Sequence, residues 1–152
     1  MRILGIDPGQ KNIGIAISDP TGTIANPVRV LSHISRTADS EFIAKVAVEN
    51  HVQAIIVGQS LDQDGEPTYA GRQAKRLCAA IRKLVDIEVV LWDEDLSTKR
   101  AISAQRKIKS HRKDKNQHFD DIAATLILQT YLDAINLSEQ KIDDQPYSPL
   151  TE

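Results

Sequence analysis

Two short apolar runs open the chain, Ile3 to Asp7 and Asn12 to Ser18, and only Pro8-Gly9-Gln10-Lys11 separates them. A Pro-Gly turn between two strand-length runs predicts a β-hairpin, so the fold must be built outward from a pair of antiparallel strands. After Asp19-Pro20-Thr21-Gly22, a further turn, the run Ile24 to Leu31 predicts a third strand. Pro27 within it suits an edge or a bulge, because proline cannot donate to a central ladder.

From Thr37 the spacing changes. Phe42, Ile43, Val46 and Ala47 recur at helical intervals, with Thr37 or Asp39 available as a cap, and the helix is predicted to end near Asn50. Gln53 to Val57 stops at Gly58 and has the short apolar character of a parallel strand covered on both faces. A helix from about Thr68 to Val85 would turn Leu77, Ala80, Ile81 and Leu84 to the core and keep Arg72, Lys75, Arg76, Arg82 and Lys83 elsewhere on its surface. A strand over Ile87 to Trp92 follows. Ser97 or Thr98 can then cap a helix through about Ala104, and 106 to 117 reads as a mobile segment. The last helix is predicted from about Phe119 to Ile135, with Ile122, Ala123, Leu126, Ile127 and Thr130 buried. Three strands linked by short turns, then helix, strand, helix, strand, helix, define an α/β protein with a mixed sheet flanked by helices.

At 152 residues and 41% hydrophobic content the chain is expected to form one domain, residues 1–136. Residues 137–152 carry two prolines and a net charge of -3 and read as a flexible acidic tail. Cys78 has no partner, which excludes a disulfide framework or a cysteine metal site and suits a reducing cytoplasm. The N-terminus enters a strand pattern directly, without the regions of a signal peptide, and the apolar runs fall far short of the roughly 20 residues that span a bilayer. A soluble cytoplasmic protein with no membrane partner is the expectation.

The formal net charge of -2 hides a strong asymmetry. Residues 99 to 118 hold Lys99, Arg100, Arg106, Lys107, Lys109, Arg112, Lys113 and Lys115 against Asp114 alone, a net +7, which leaves -9 for the rest. A basic segment on an acidic body is a phosphate-facing element or, equally, a solvated loop.

The acids mark the chemistry. Asp7 ends the first strand just before Pro8-Gly9, where a carboxylate either stabilises the turn or projects into the cleft beyond the strand ends where α/β sheets bind ligands. Asp93, Glu94 and Asp95 follow the strand that ends at Trp92, and three acids in series repel unless solvent or a hard divalent cation offsets them. One of them could instead cap the helix near Ser97. Asp120 and Asp121 stand in the first turn of the last helix, where the helix dipole favours an acid in any case, yet that helix must pack on the sheet and could bring one of them to the same cleft. Carboxylates from two strands and a helix could hold one or two Mg²⁺ ions for phosphodiester hydrolysis. No Walker-type phosphate loop is present, and the histidines at 33, 51, 111 and 118 show no zinc spacing and read as surface groups.

Several segments together resemble the YqgF (RuvX) family, described as Holliday junction resolvases and pre-16S ribosomal RNA nucleases. They are Leu4-Gly5-Ile6-Asp7-Pro8-Gly9, Gly14-Ile15-Ala16-Ile17-Ser18-Asp19, Val57-Gly58 with Asp64-Gly65, Trp92-Asp93-Glu94, Leu96-Ser97-Thr98, and Asp120 with Ala123-Ala124 and Ile127-Leu128-Gln129. The resemblance covers about residues 1 to 135. It implies a ribonuclease H-like fold, with a five-stranded mixed sheet whose first three strands are antiparallel. It also selects Asp7, Glu94 and Asp120 as catalytic, metal-holding acids, with Mg²⁺ or Mn²⁺ as cofactor. The chain departs from the family pattern at Gln59-Ser60, at Asp95 in place of an arginine, and at Asn116-Gln117-His118-Phe119.

The resulting expectation is a nuclease acting on structured RNA, with precursor 16S ribosomal RNA first, or on branched DNA, as a monomer or homodimer. Lys11, Arg72, Arg76, Arg112, Lys113 and Lys115 are the expected backbone-binding cations. The competing expectation is a nucleic-acid-binding module of the same fold that performs no cleavage.

Overall fold

The computed structural model describes residues 1–59, 64–66, 68–93 and 119–143, and within the last stretch the side chains of 122–139. Strands β1 (Ile3–Pro8), β2 (Asn12–Ser18) and β3 (Ala25–Ser32) form an antiparallel meander. Helix α1 (Arg36–Glu49) leads to β4 (Ala54–Gln59), α2 (Tyr69–Arg82) leads to β5 (Glu88–Asp93), and α3 (Phe119–Asp143) closes the described chain. The five strands lie in the order β3-β2-β1-β4-β5, with β1, β4 and β5 parallel. The mixed sheet read from the sequence is thus the sheet that forms.

Alternation along the strands divides the apolar residues between two layers. Leu4, Ile6, Ile13, Ile15, Ile55 and Val57 face α1 and α2, where they pack with Ile43, Ala47, Leu77, Cys78 and Ile81. Ile3, Ala16, Ala54 and Ile56 face the other way, onto Ala124, Ile127, Leu128 and Leu132 of α3. β4, paired on both sides and covered on both faces, is buried from Ala54 to Gly58, as its unbroken apolar run requires. Pro27 sits on the edge strand β3 beside the irregularity in which Ile15 pairs with Arg29 and Ala16 with Pro27, so Val28 is the extra residue.

Several boundaries differ from the sequence reading. The α1 cap is Ser35, whose hydroxyl accepts from the Ala38 amide at 3.1 Å, and Thr37 and Asp39 fall inside the first turn. Helix α2 stops at Arg82, which leaves Leu84 past its end and 48% exposed; Ala74 and Cys78 fill the core instead. Helix α3 runs on to Asp143, so position 136 lies within it. Its buried stripe is Ala124, Ile127, Leu128 and Leu132, while Ile122, Ala123 and Leu126 are only partly covered. The helix expected near 97–104 and the segment 106–117 lie outside the described residues.

The rotation of α3 follows from one close approach. A Cβ placed on Gly5 in β1 would lie 2.7 Å from the Leu128 Cβ and 3.3 Å from the Ala124 carbonyl oxygen. Further along, the buried Gln129 amide accepts from the Ala25 N–H and donates to the Thr23 carbonyl, each at 2.9 Å, and Asn136 donates to the Gly22 carbonyl at 3.3 Å. Residues 22–25 lie at the end of the sheet where β1 begins. Helix α3 therefore runs antiparallel to β1, and its N-terminus lies at the end where β1 finishes.

Two expected outcomes test this account. Gly5→Ala forces a methyl group against Leu128 and should destabilise the fold by about 1–3 kcal/mol, measured by urea unfolding. The second concerns Asp19, which accepts from the Thr23 amide at 2.8 Å and the Ile24 amide at 3.0 Å. Burial works against its charge, but hydrogen bonds from Ile24, Thr21 and Thr23 outweigh it and lower the pKa from an ordinary 3.8 to about 2. A folded-state pKa below the unfolded one adds stability that is complete above pH 3.8 and lost as pH falls toward 2. The unfolding midpoint should fall across that window in the wild type and fall less steeply in Asp19→Ala.

Candidate active site at the strand ends

The three parallel strands finish together. Ile6 pairs with Val57, Gly58 pairs with Trp92 and Gln59 with Asp93, so Asp7 stands level with Gly58 and Trp92 at the carboxyl end of the sheet. Asp7 shares the face of Gly5, two residues before it, and so lies on the α3 side. It is half-buried. Its carbonyl oxygen accepts from the Gly9 amide at 3.1 Å, closing the turn immediately behind it. A Cβ on Gly9 would meet the Asn12 carbonyl oxygen at 2.3 Å, so this turn admits no side chain there.

Trp92 joins the end of β5 to α3. Its indole N–H donates to the Thr130 hydroxyl at 3.1 Å, and its ring meets Tyr131 edge to face at 5.1 Å between centroids. Thr130 in turn donates to the Ile127 carbonyl at 2.8 Å. Burial, reinforced by the charge of Glu88, raises the Tyr131 phenol above its ordinary value, so the ring stays neutral beside the tryptophan.

Of the three expected acids, Asp7 is the one whose side chain is described. Glu94 lies outside the described residues; its predecessor Asp93 ends β5. Asp120 is the second residue of α3, and its backbone stands one helical turn before Ala124. Ala124 touches the level of Gly5, so one turn back along α3 and two residues on along β1 bring positions 120 and 7 to the same end of the sheet. Among the described residues no group of three or more His, Cys, Asp or Glu side chains is gathered to hold a metal ion. Asp7 nonetheless fits such a group, since a carboxylate is the hard oxygen donor that Mg²⁺ or Mn²⁺ takes.

The expected cations fall into two sets. Lys11 is exposed in the β1–β2 turn, directly behind the acid edge. Arg72 and Arg76 are exposed on α2, with the Arg72 guanidinium 6.0 Å from the centre of the Tyr69 ring. Because α2 covers the opposite face of the sheet from α3, the structure separates these two arginines from Asp7 by the thickness of the sheet. Arg112, Lys113 and Lys115 lie outside the described residues.

The sequence reading missed a side-chain pair. His33 is exposed, as expected of a surface group, yet it places Nδ1 against the carboxylate of the buried Asp39, whose other oxygen accepts from the Ile34 amide at 3.2 Å. The pair forms across the β3–α1 connection, where the Ser35 cap turns Asp39 back toward the strand, and no local spacing signals it. His33, Arg36 and Asp39 line a cavity of about 390 Å³ with Gly9, Gln10, Tyr69 and Gln73. It opens on the far side of the β1–β2 turn from Asp7.

A mixed sheet in this order, with acids at the ends of its parallel strands, defines a ribonuclease H-like fold of the resolvase type. The Thermus thermophilus RuvC structure in complex with Holliday junction substrate superimposes with a TM-score of 0.65, covering 90% of this chain and 96% of that one at 13% identity. The fowlpox virus Holliday junction resolvase gives a TM-score of 0.53 over 88% and 99% of the two chains at 17% identity. Residues 1–134 match the family described as RuvX, Holliday junction resolvase. A Clostridium perfringens protein named "Putative pre-16S rRNA nuclease" is 39% identical over 136 residues, 90% of this chain and 99% of its own. A Thermoanaerobacter pseudethanolicus protein of the same name is 38% identical over 138 residues, covering 88% and 97%. The chain belongs to the RuvX family of nucleases.

Proposed function

We propose that this chain is a divalent-metal-dependent nuclease that hydrolyses phosphodiester bonds in the cytoplasm, with precursor 16S ribosomal RNA as its substrate. The observation that carries the reading is the position of Asp7, a half-buried carboxylate at the end of β1 on the face that α3 covers. Relatives named for pre-16S rRNA, matched over nearly their whole length, favour RNA over a DNA junction as substrate.

Asp7, Glu94 and Asp120 would hold Mg²⁺ or Mn²⁺. When bound, such a cation lowers the pKa of a coordinated water and neutralises charge on the leaving oxygen. The chain's own residues do the rest. The closed Pro8-Gly9 turn keeps Asp7 at the strand end, and the Trp92–Thr130 hydrogen bond keeps the end of β5 seated on α3. Lys11 offers a cation to the phosphate backbone beside the acids. Arg72 and Arg76 extend that contact over α2, and Arg112, Lys113 and Lys115 belong to the same basic set. The nuclease unit is residues 1–136, since Asn136 still donates to the Gly22 carbonyl while Leu137, Ser138 and Glu139 beyond it are exposed. Residues 137–152 are an acidic extension to it. Among the described residues no helix is long and apolar enough to cross a membrane.

Asp7→Asn should lower Mg²⁺-dependent cleavage of a precursor 16S fragment by at least about 100-fold while leaving the thermal transition in place. Mn²⁺ should quench the emission of Trp92, the one tryptophan, in the wild type and much less in Asp7→Asn. Full cleavage by the mutant would remove Asp7 from the site. Salt-dependent binding with no cleavage by the wild type would favour the binding module instead. Separately, Arg76→Gln should weaken binding of unrelated sequences alike and make the slope of log affinity against log salt shallower by about 1.

A further inference from the structure

We propose that the cavity behind the β1–β2 turn binds one unpaired nucleotide of the strand being cut, a reading that rests on the nuclease function above. At about 390 Å³ the cavity is near the low end of the roughly 300–1,000 Å³ range of small-ligand clefts, which suits one nucleotide and not a duplex end.

Its charge favours a phosphate. Among the described residues Asp39 is the one carboxylate lining it, and both its oxygens are engaged, one by His33 Nδ1 and one by the Ile34 amide. Arg36 makes no ion pair among the described residues, so among them its guanidinium is the uncompensated charge lining the cavity. With Nδ1 committed to Asp39, the His33 ring keeps Nε2 for a ligand. Helices α1 and α2 also present their N-termini here, Arg36 and Asp39 from one first turn and Tyr69 and Ala70 from the other. Their dipoles add partial positive charge to that of Arg36.

Its remaining surface favours a base. Tyr69 is 60% exposed, with the Arg72 guanidinium as its described ring partner. An aromatic ring left open beside cations is the kind of platform on which single-stranded bases stack. Gln10 and Gln73 line the same cavity, and among the described residues neither amide has a hydrogen-bond partner, so both can read a base edge. Pro8 and Gly9 line the cavity and directly follow Asp7. A strand with its phosphodiester at Asp7 crosses that turn to reach the cavity. The consequence is a preference for substrates unpaired next to the cut, because a paired base offers no free face to Tyr69.

Metal-free binding tests this apart from catalysis. With EDTA present, the full-length protein is titrated with adenosine 5′-monophosphate, adenosine, inorganic phosphate and a six-nucleotide single-stranded RNA. The mononucleotide should bind more tightly than adenosine or phosphate, weaken tenfold or more in Tyr69→Ala and in Arg36→Gln, hold its affinity in Lys45→Gln, and be displaced by the RNA. Equal affinity for phosphate alone, or unchanged affinity in both cavity variants, would overturn the proposal. Failure of the RNA to displace the mononucleotide would also overturn it, leaving a site for a free mononucleotide. If the nuclease reading itself is wrong, wild-type protein will fail to cleave with Mg²⁺ or Mn²⁺ while this binding pattern stands.

Discussion

The contact of α3 with Gly5 is the constraint on which the rest of the molecule depends. A helix can lie that close to a strand only where the strand has no side chain, and the Leu128 Cβ stands only 2.7 Å from where a Gly5 Cβ would be. Close approach sets the distance but not the slide of the helix along the sheet. The slide is set by Gln129, which is fully buried and has its amide satisfied by Ala25, Thr23 and Asp133. Moving the helix by one turn would strand those polar groups without water, at a cost of about 1–3 kcal/mol for each group left unpaired. Distance and slide together decide where the first turn of α3 stands relative to Asp7.

The sheet then divides the work. Its α3 face carries Asp7 and Trp92, and its other face carries the arginines of α2 and the cavity around Arg36. Carboxylates repel a phosphodiester, so a nuclease edge needs cations near it without letting them pair with its acids and quench them. In the proposed nuclease Arg72 and Arg76, across the sheet from Asp7, would be such cations, since a backbone draped over the strand ends can touch both layers. The β1–β2 turn lies between the two layers, and the Asn12 carbonyl oxygen leaves no room for a side chain at Gly9.

The strands and their order of connection were legible because period-two runs were punctuated by Pro-Gly, Asp-Pro and Gly signals. Pro27 was legible for the same reason, its missing donor restricting it to an edge. The α3 stripe was not, since Ile122, Ala123 and Leu126 are as apolar as the residues actually buried, and Gly5, more than 100 residues away, chooses between them. Ser35 displaced Thr37 and Asp39 as the cap because Asp39 is held by His33, a contact that no spacing announces. Asp7 could be picked out from its place at a strand end, whereas Asp120 was separated from Asp121 by family resemblance alone. Arg72 and Arg76 were visible as cations, but which side of the sheet they occupy is a fact of helix packing.

The facing of Asp7 is itself inherited from the core. Leu4 and Ile6 are fully buried against α1 and α2, and the side-chain period of a strand is two, so Gly5 and Asp7 must face α3. Slipping β1 by one residue would turn Asp7 into the α1–α2 core and drive Ile6 into the space that Gly5 leaves for α3. Both errors are penalised at once, one by an ionised carboxylate in an apolar layer and the other by a clash with Leu128. The hydrophobic alternation that folds β1 is thus the same device that aims its carboxylate. A substitution that loosens Leu4 or Ile6 would disturb the candidate site without touching it.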